Sequence, residues 1–144
     1  MAFERRTARI IEIGISMSFG TYKKGARAER ELIHYFSEHG FEVIRAAGSG
    51  VNSLSPDLLA FKAGRQYAIE CKAWDRGSLS FDKPRVQQMK NWEEVTGITY
   101  LIGWRVSREG WYFFPVHLLE EKGKNYTITL KKAKMAGRKL EELI

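Results

Sequence analysis

The sequence predicts a mixed α/β domain: one mixed β-sheet flanked by helices. Three observations carry this expectation. A helical pattern is followed by strand-like runs, a second helical pattern and two strongly apolar strands. Within Gln66–Lys72, Tyr67, Ile69 and Cys71 fall on one face of a strand while Glu70 and Lys72 fall on the other. A chain of 144 residues that is 44% hydrophobic and 12% aromatic can fill one core and is too short for two comfortable ones.

Residues 1–22 read as an N-terminal extension. Arg5, Arg6 and Arg9 precede Ile10, Ile11, Ile13 and Ile15, but Glu12 interrupts this short apolar run and no small-residue cleavage pattern follows. A signal peptide is therefore not expected. The main domain spans 23–119, and a basic tail, 120–144, is expected to pack on it.

Lys23, Lys24 and Gly25 lead into a helix expected from Ala26 to about His39 and closed by Gly40. Leu32, Ile33 and Phe36 form its apolar stripe. Glu29 falls inside that stripe, where a carboxylate is costly without a partner, and Arg30 points to the flank. Glu29 is open to two readings: a first-turn acid favoured by the helix dipole, or a functional group.

A strand over Phe41–Ala47 ends near Arg45 and runs into Gly48–Ser55, a small, polar loop able to approach a phosphate. The loop lacks the Gly-Lys-Ser/Thr of a P-loop, and Ser53 stands where a dinucleotide fingerprint wants a third glycine. Two strands follow, Asp57–Phe61 and Gln66–Lys72, joined by a turn at Ala63, Gly64 and Arg65. This hairpin brings Asp57, Glu70 and Lys72 into one region. Two carboxylates and a lysine suit a hard cation such as Mg²⁺, which takes oxygen ligands, with the lysine beside a developing phosphate charge. The competing reading is a Pro-Asp turn opener and a solvated Glu/Lys face.

Residues 73–80 read as a loop. Pro84 opens a helix running to about Thr96, with Asp82 or Lys83 near its cap, Gly97 closing it, and Val86, Met89, Trp92 (or Glu93) and Val95 at core spacing. Ile98–Val106 and Trp111–Val116 are apolar strands around a turn at Ser107–Gly110. The second has aromatic residues on both faces, which calls for cover from helices, a second subunit or both sides of the same chain. Tyr126–Leu130 reads as an edge strand, and Lys131, Lys132, Lys134, Arg138 and Lys139 lie on an expected last helix.

The net charge of +7 is uneven: residues 1–30 carry +4, 31–100 carry −1 and 101–144 carry +4. An acidic-to-neutral middle between basic ends fits a metal centre rimmed by phosphate contacts, with nucleic acid the first partner class. The single cysteine, Cys71, excludes an intrachain disulfide and fits a reducing compartment, so a cytoplasmic location is expected. No apolar run approaches a membrane span. His34, His39 and His117 have no ligand spacing.

Taken together, Lys24-Gly25, Glu29-Arg30-Glu31-Leu32, Gly40-Phe41, Val43, Arg45, Gly48-Ser49-Gly50, Pro56-Asp57-Leu58-Leu59-Ala60 and Ile69-Glu70-Cys71-Lys72 resemble the archaeal Holliday junction resolvases of the Hjc and Hje type. These belong to the PD-(D/E)xK nuclease superfamily. The resemblance runs from Lys23 to Val116. It implies a restriction-endonuclease-like core and a Mg²⁺-dependent homodimer, with Mn²⁺ able to substitute, that nicks four-way junction DNA symmetrically. By the same resemblance Glu29, Asp57 and Glu70 are metal ligands, with the Cys71 carbonyl a further one, and Lys72 positions the water. Lys24, Arg30 and Arg45 are DNA contacts, and Ser49 sits on a loop near the scissile strand. Phe81 stands where the family often has a tyrosine nearby, and the first sixteen or so residues have no recognised counterpart. Two alternatives remain: a related nuclease acting on another DNA structure, and a DNA-binding protein of the same fold without catalysis.

Overall fold

In the computed structural model the described residues are 19–46 and 55–144. Helix α1 (Phe19–Glu38) precedes strands β1 (Glu42–Arg45), β2 (Leu58–Lys62), β3 (Arg65–Ala73) and β4 (Ser78–Asp82). Helix α2 (Lys83–Thr96) leads to β5 (Thr99–Val106) and β6 (Gly110–Pro115), then β7 (Glu120–Lys122), β8 (Asn125–Thr129) and helix α3 (Leu130–Ala136). Five strands form one mixed sheet in the order β1-β2-β3-β5-β6, with the β3–β5 pair parallel and its other pairs antiparallel. This is the mixed α/β architecture expected. A second, three-stranded sheet, β4-β8-β7, adds to it.

The parallel β3–β5 pair requires a crossover, and β4 with α2 supplies it. Asp82 caps α2 by accepting the N–H of Arg85, Pro84 occupies its first turn, and Gly97 ends it at φ +70. Both faces of the large sheet are covered. Ala68, Tyr100, Ile102, Trp104, Tyr112 and Phe114 pack with Val86 and Met89 of α2. Ile69, Leu101, Trp111 and Phe113 pack with Ala28, Leu32 and Phe36 of α1. The aromatic residues of β6 are thus buried on both faces within one chain.

Several expectations are corrected. α1 starts at Phe19 rather than Ala26, so Lys23, Lys24 and Gly25 lie within it; the cost of an interior glycine is outweighed by the turns on either side. The expected loop 73–80 is shorter, confined to 74–77, since β3 reaches Ala73 and β4 begins at Ser78. β8 is the central strand of the small sheet rather than an edge. α3 ends at Ala136, so Arg138 and Lys139 lie beyond it. Val95 is 76% exposed and is not core.

Segment 120–144 contributes Ile128 and Ala133 to the core beneath α2 and Leu143 to the core beneath α1. Near its end, Arg138 exchanges both backbone hydrogen bonds with Phe113 of β6, at 2.8 and 2.7 Å. No helix among the described residues is long and apolar enough to cross a membrane.

Candidate active site

The β2–β3 hairpin carries the two central acids. Its register pairs Leu58 with Ile69, so Asp57, one residue ahead of β2, stands level with Glu70. Oδ2 of Asp57 accepts the backbone N–H of Cys71 at 2.8 Å. The Asp57 carbonyl accepts the N–H of Ala46 at 3.0 Å, which draws the end of β1, and with it Arg45, to the same place. Burial pushes the Asp57 carboxyl from its usual 3.8 up to about 7. The charges of Glu70 and Glu29 push the same way, while the Cys71 N–H and Lys72 oppose them. Crowded negative charge in a desolvated place is therefore a property of this cluster.

Glu70 is the one buried charged side chain among the described residues, 7% exposed. Its Oε1 accepts from Arg85 Nη2 and, at 3.1 Å, from the Tyr100 hydroxyl. Burial and the adjacent Glu70 raise the Tyr100 phenol above its ordinary range. Glu29, with 16% of its side chain exposed, is ion-paired with Arg45. Lys72 shares the Glu70 face of β3, its ammonium 5.6 Å from the centre of the Phe81 ring. The Cys71 thiol is half-buried on the opposite face, and burial, then Asp57, Glu29 and Glu70, hold it well above its usual range.

Glu29, Asp57, Glu70, Lys72 and Arg45, named from the sequence, are thus brought together. Lys24 instead pairs with Asp75, whose carboxylate also accepts the N–H and hydroxyl of Ser107 at 2.8 Å each. It borders a groove of about 320 Å³ that Arg27, Glu31, Ala73 and Arg105 also line. Arg30 is exposed on α1. Ser49 and the rest of 47–54 lie outside the described residues, as does 1–18.

Among the described residues no three Asp, Glu, His or Cys side chains converge as a metal-holding group. Glu29 turns to Arg45, leaving Asp57 and Glu70 as the central pair. That donor set still suits Mg²⁺, which uses one or two carboxylates and keeps several waters. The excess negative charge felt by Asp57 is what a bound cation would relieve.

Sequence reasoning missed Arg85, Tyr100 and Asp75. Each acts through a partner far along the chain, Arg85 and Tyr100 on Glu70 and Asp75 on Lys24, so no local spacing marked them.

A mixed sheet with two level acids on a hairpin, a lysine two residues on and cationic partners around them defines an α/β protein with an Asp…Glu-x-Lys centre. The sequence matches the family described as archaeal Holliday junction resolvase (Hjc) over residues 20–144. It is 33% identical over 127 residues to the crossover junction endodeoxyribonuclease Hjc of Archaeoglobus fulgidus, covering 83% of this chain and 93% of that one. Identity to the Hjc of Methanocaldococcus jannaschii is 33% over 108 residues, covering 74% and 77%. The solved structure of the Archaeoglobus fulgidus Hjc, a Holliday junction resolvase, superposes with a TM-score of 0.74 at 31% identity, covering 82% of this chain and 98% of that one. The chain belongs to the archaeal Holliday junction resolvase (Hjc) family.

Proposed function

We propose that this protein is a metal-dependent endonuclease that resolves four-way DNA junctions by paired, symmetric nicks. The observation that carries the reading is the level placement of Asp57 and Glu70 with Lys72 on the same strand face as Glu70, in a cluster where burial and then the neighbouring acids lift Asp57 to about 7. Membership of the Hjc family, whose relatives are named crossover junction endodeoxyribonucleases, supports the substrate class.

Asp57, Glu70 and the Cys71 carbonyl would hold Mg²⁺, or Mn²⁺ in its place. Glu29 would join them if it left Arg45. A bound ion would supply Lewis-acid stabilisation of the charge that builds on phosphorus. Lys72 would orient the attacking water and offset the same charge. Arg30, Arg45, Lys24 and the Ser49 loop would hold the phosphate backbone, which makes recognition a matter of shape more than base edges. A two-fold homodimer would present two such centres to two equivalent strands.

Incubating the protein with Mg²⁺, a four-way junction and the matching linear duplex tests this. Paired nicks in the junction alone are expected. Cuts in the linear duplex would point to a related nuclease of another specificity, and tight binding without cleavage to a DNA-binding protein. A solution mass of one chain at micromolar concentration would remove the dimer.

A further inference from the structure

Among the described residues every hydrogen bond to the Glu70 carboxylate ends on Oε1. Arg85 makes the charged one, and it is firmly seated. Its Nη2 also meets the Tyr100 hydroxyl at 3.2 Å, its Nη1 donates to Gln88 Oε1 at 3.4 Å, and its backbone N–H is bonded to the capping Asp82 at 2.8 Å. Around the same spot Arg45 pairs with Glu29, and Lys72 lies within electrostatic reach of Asp57. Among the described residues Glu29 thus has Arg45 beside it, Asp57 has Lys72 within reach, and Glu70 has Arg85.

We propose that Arg85 is the built-in counter-cation of Glu70, a positioning residue that sets how tightly the DNA-free centre takes a divalent ion. A guanidinium and a dication seek the same carboxylate, and they repel each other once both are near it. With Arg85 on Glu70, an incoming metal meets a like charge beside that carboxylate, and the negative charge of an arriving phosphate offsets it. Arg85 thereby couples loading of the centre to the arrival of DNA, while fixing Glu70 through Oε1. The inference rests on the metal-site reading above.

The test is Mn²⁺ titration of the full chain without DNA, at constant pH, by calorimetry. Arg85→Gln keeps a hydrogen-bond donor toward Glu70 and removes the charge. It is expected to tighten Mn²⁺ binding by about tenfold or more, since one unit charge a few ångströms from a dication amounts to that even at the dielectric constant of water. Arg85→Lys keeps the charge and should bind Mn²⁺ within a few-fold of the parent chain. Tyr100→Phe, which removes only a hydroxyl, should do the same. Arg85→Met serves the neutral arm if the glutamine variant fails to fold. Unchanged or weaker binding in the neutral variant overturns the proposal. Asp57→Asn is the control for the site. If the parent chain shows no Mn²⁺ binding that Asp57→Asn abolishes, the metal-site reading falls and this one with it. If that binding is present but indifferent to Arg85, only this inference falls.

Discussion

Asp57 is held to Cys71 by a 2.8 Å bond from a backbone N–H, so the acid's position is set by strand β3 rather than by a side-chain rotamer of a neighbour. The bond favours the ionised carboxylate, yet burial and the nearby Glu70 outweigh it. The proton is thus held more tightly in the folded chain than in the unfolded one.

Asp57→Asn should stabilise the metal-free protein in a pH-dependent way. Because the folded value is raised, the contribution of Asp57 is fully present below about 4 and is lost as pH rises through about 7. At pH 8 the ionised group is a net cost on the order of a few kcal/mol, which asparagine removes. The gain in melting temperature should be larger at pH 8 than at pH 5. The same variant should not cleave a junction, while binding it within a few-fold. Equal gains at both pH values, or retained cleavage, would contradict this account of Asp57.

Asp75 titrates in the opposite sense. The Lys24 ammonium, the Ser107 N–H and the Ser107 hydroxyl hold its carboxyl down at about 2. Its stabilising contribution is present above the ordinary carboxylate value and is lost as pH falls toward about 2. Carbon-detected NMR of the side-chain carboxyl should place its midpoint near 2, and Lys24→Ala should move it upward.

Gly103→Ala should destabilise the fold. A Cβ there would stand 2.7 Å from Cε1 of Phe113, its register partner on β6, and 3.3 Å from Cζ3 of Trp111. Those two rings are stacked at 5.5 Å, so neither yields without disturbing the other. Overpacking of this kind costs about 1–3 kcal/mol, to be read from urea unfolding.

Arg108 is the non-glycine residue with positive φ among the described ones, at φ +68 in the turn between β5 and β6. Arg108→Gly relieves that strain and should raise stability by up to about 1 kcal/mol, partly offset by the freer unfolded chain. A lowered urea midpoint would count against it.

Much of this site was legible in the sequence because its information is local. The alternation of Tyr67 to Lys72, the glycine turn before it and the Asp82 and Gly97 caps of α2 depend on neighbours a few residues away. The aromatic residues of β6 announced a strand covered twice. What escaped was non-local. The first three residues of β4 read as loop because the short run gains strand character only by pairing with β8, Ser78 opposite Thr129. The start of α1 was lost at Gly25, a residue that a helix tolerates where turns on both sides continue. Arg85 lies in the first turn of α2, where nothing local marks it, and only the packing of α2 over β3 turns it toward Glu70.

The exchange between Arg138 and Phe113 has a consequence for how molecules meet. β6 ends the large sheet, and its outer rim would otherwise offer a template for another chain's strand. The protein's own last residues occupy part of that rim, anchored by the buried Leu143 and by the Tyr67 hydroxyl donating to the Leu143 carbonyl at 2.9 Å. Trimming after Ala136 would uncover a sticky border, and lateral clumping of the shortened protein would follow.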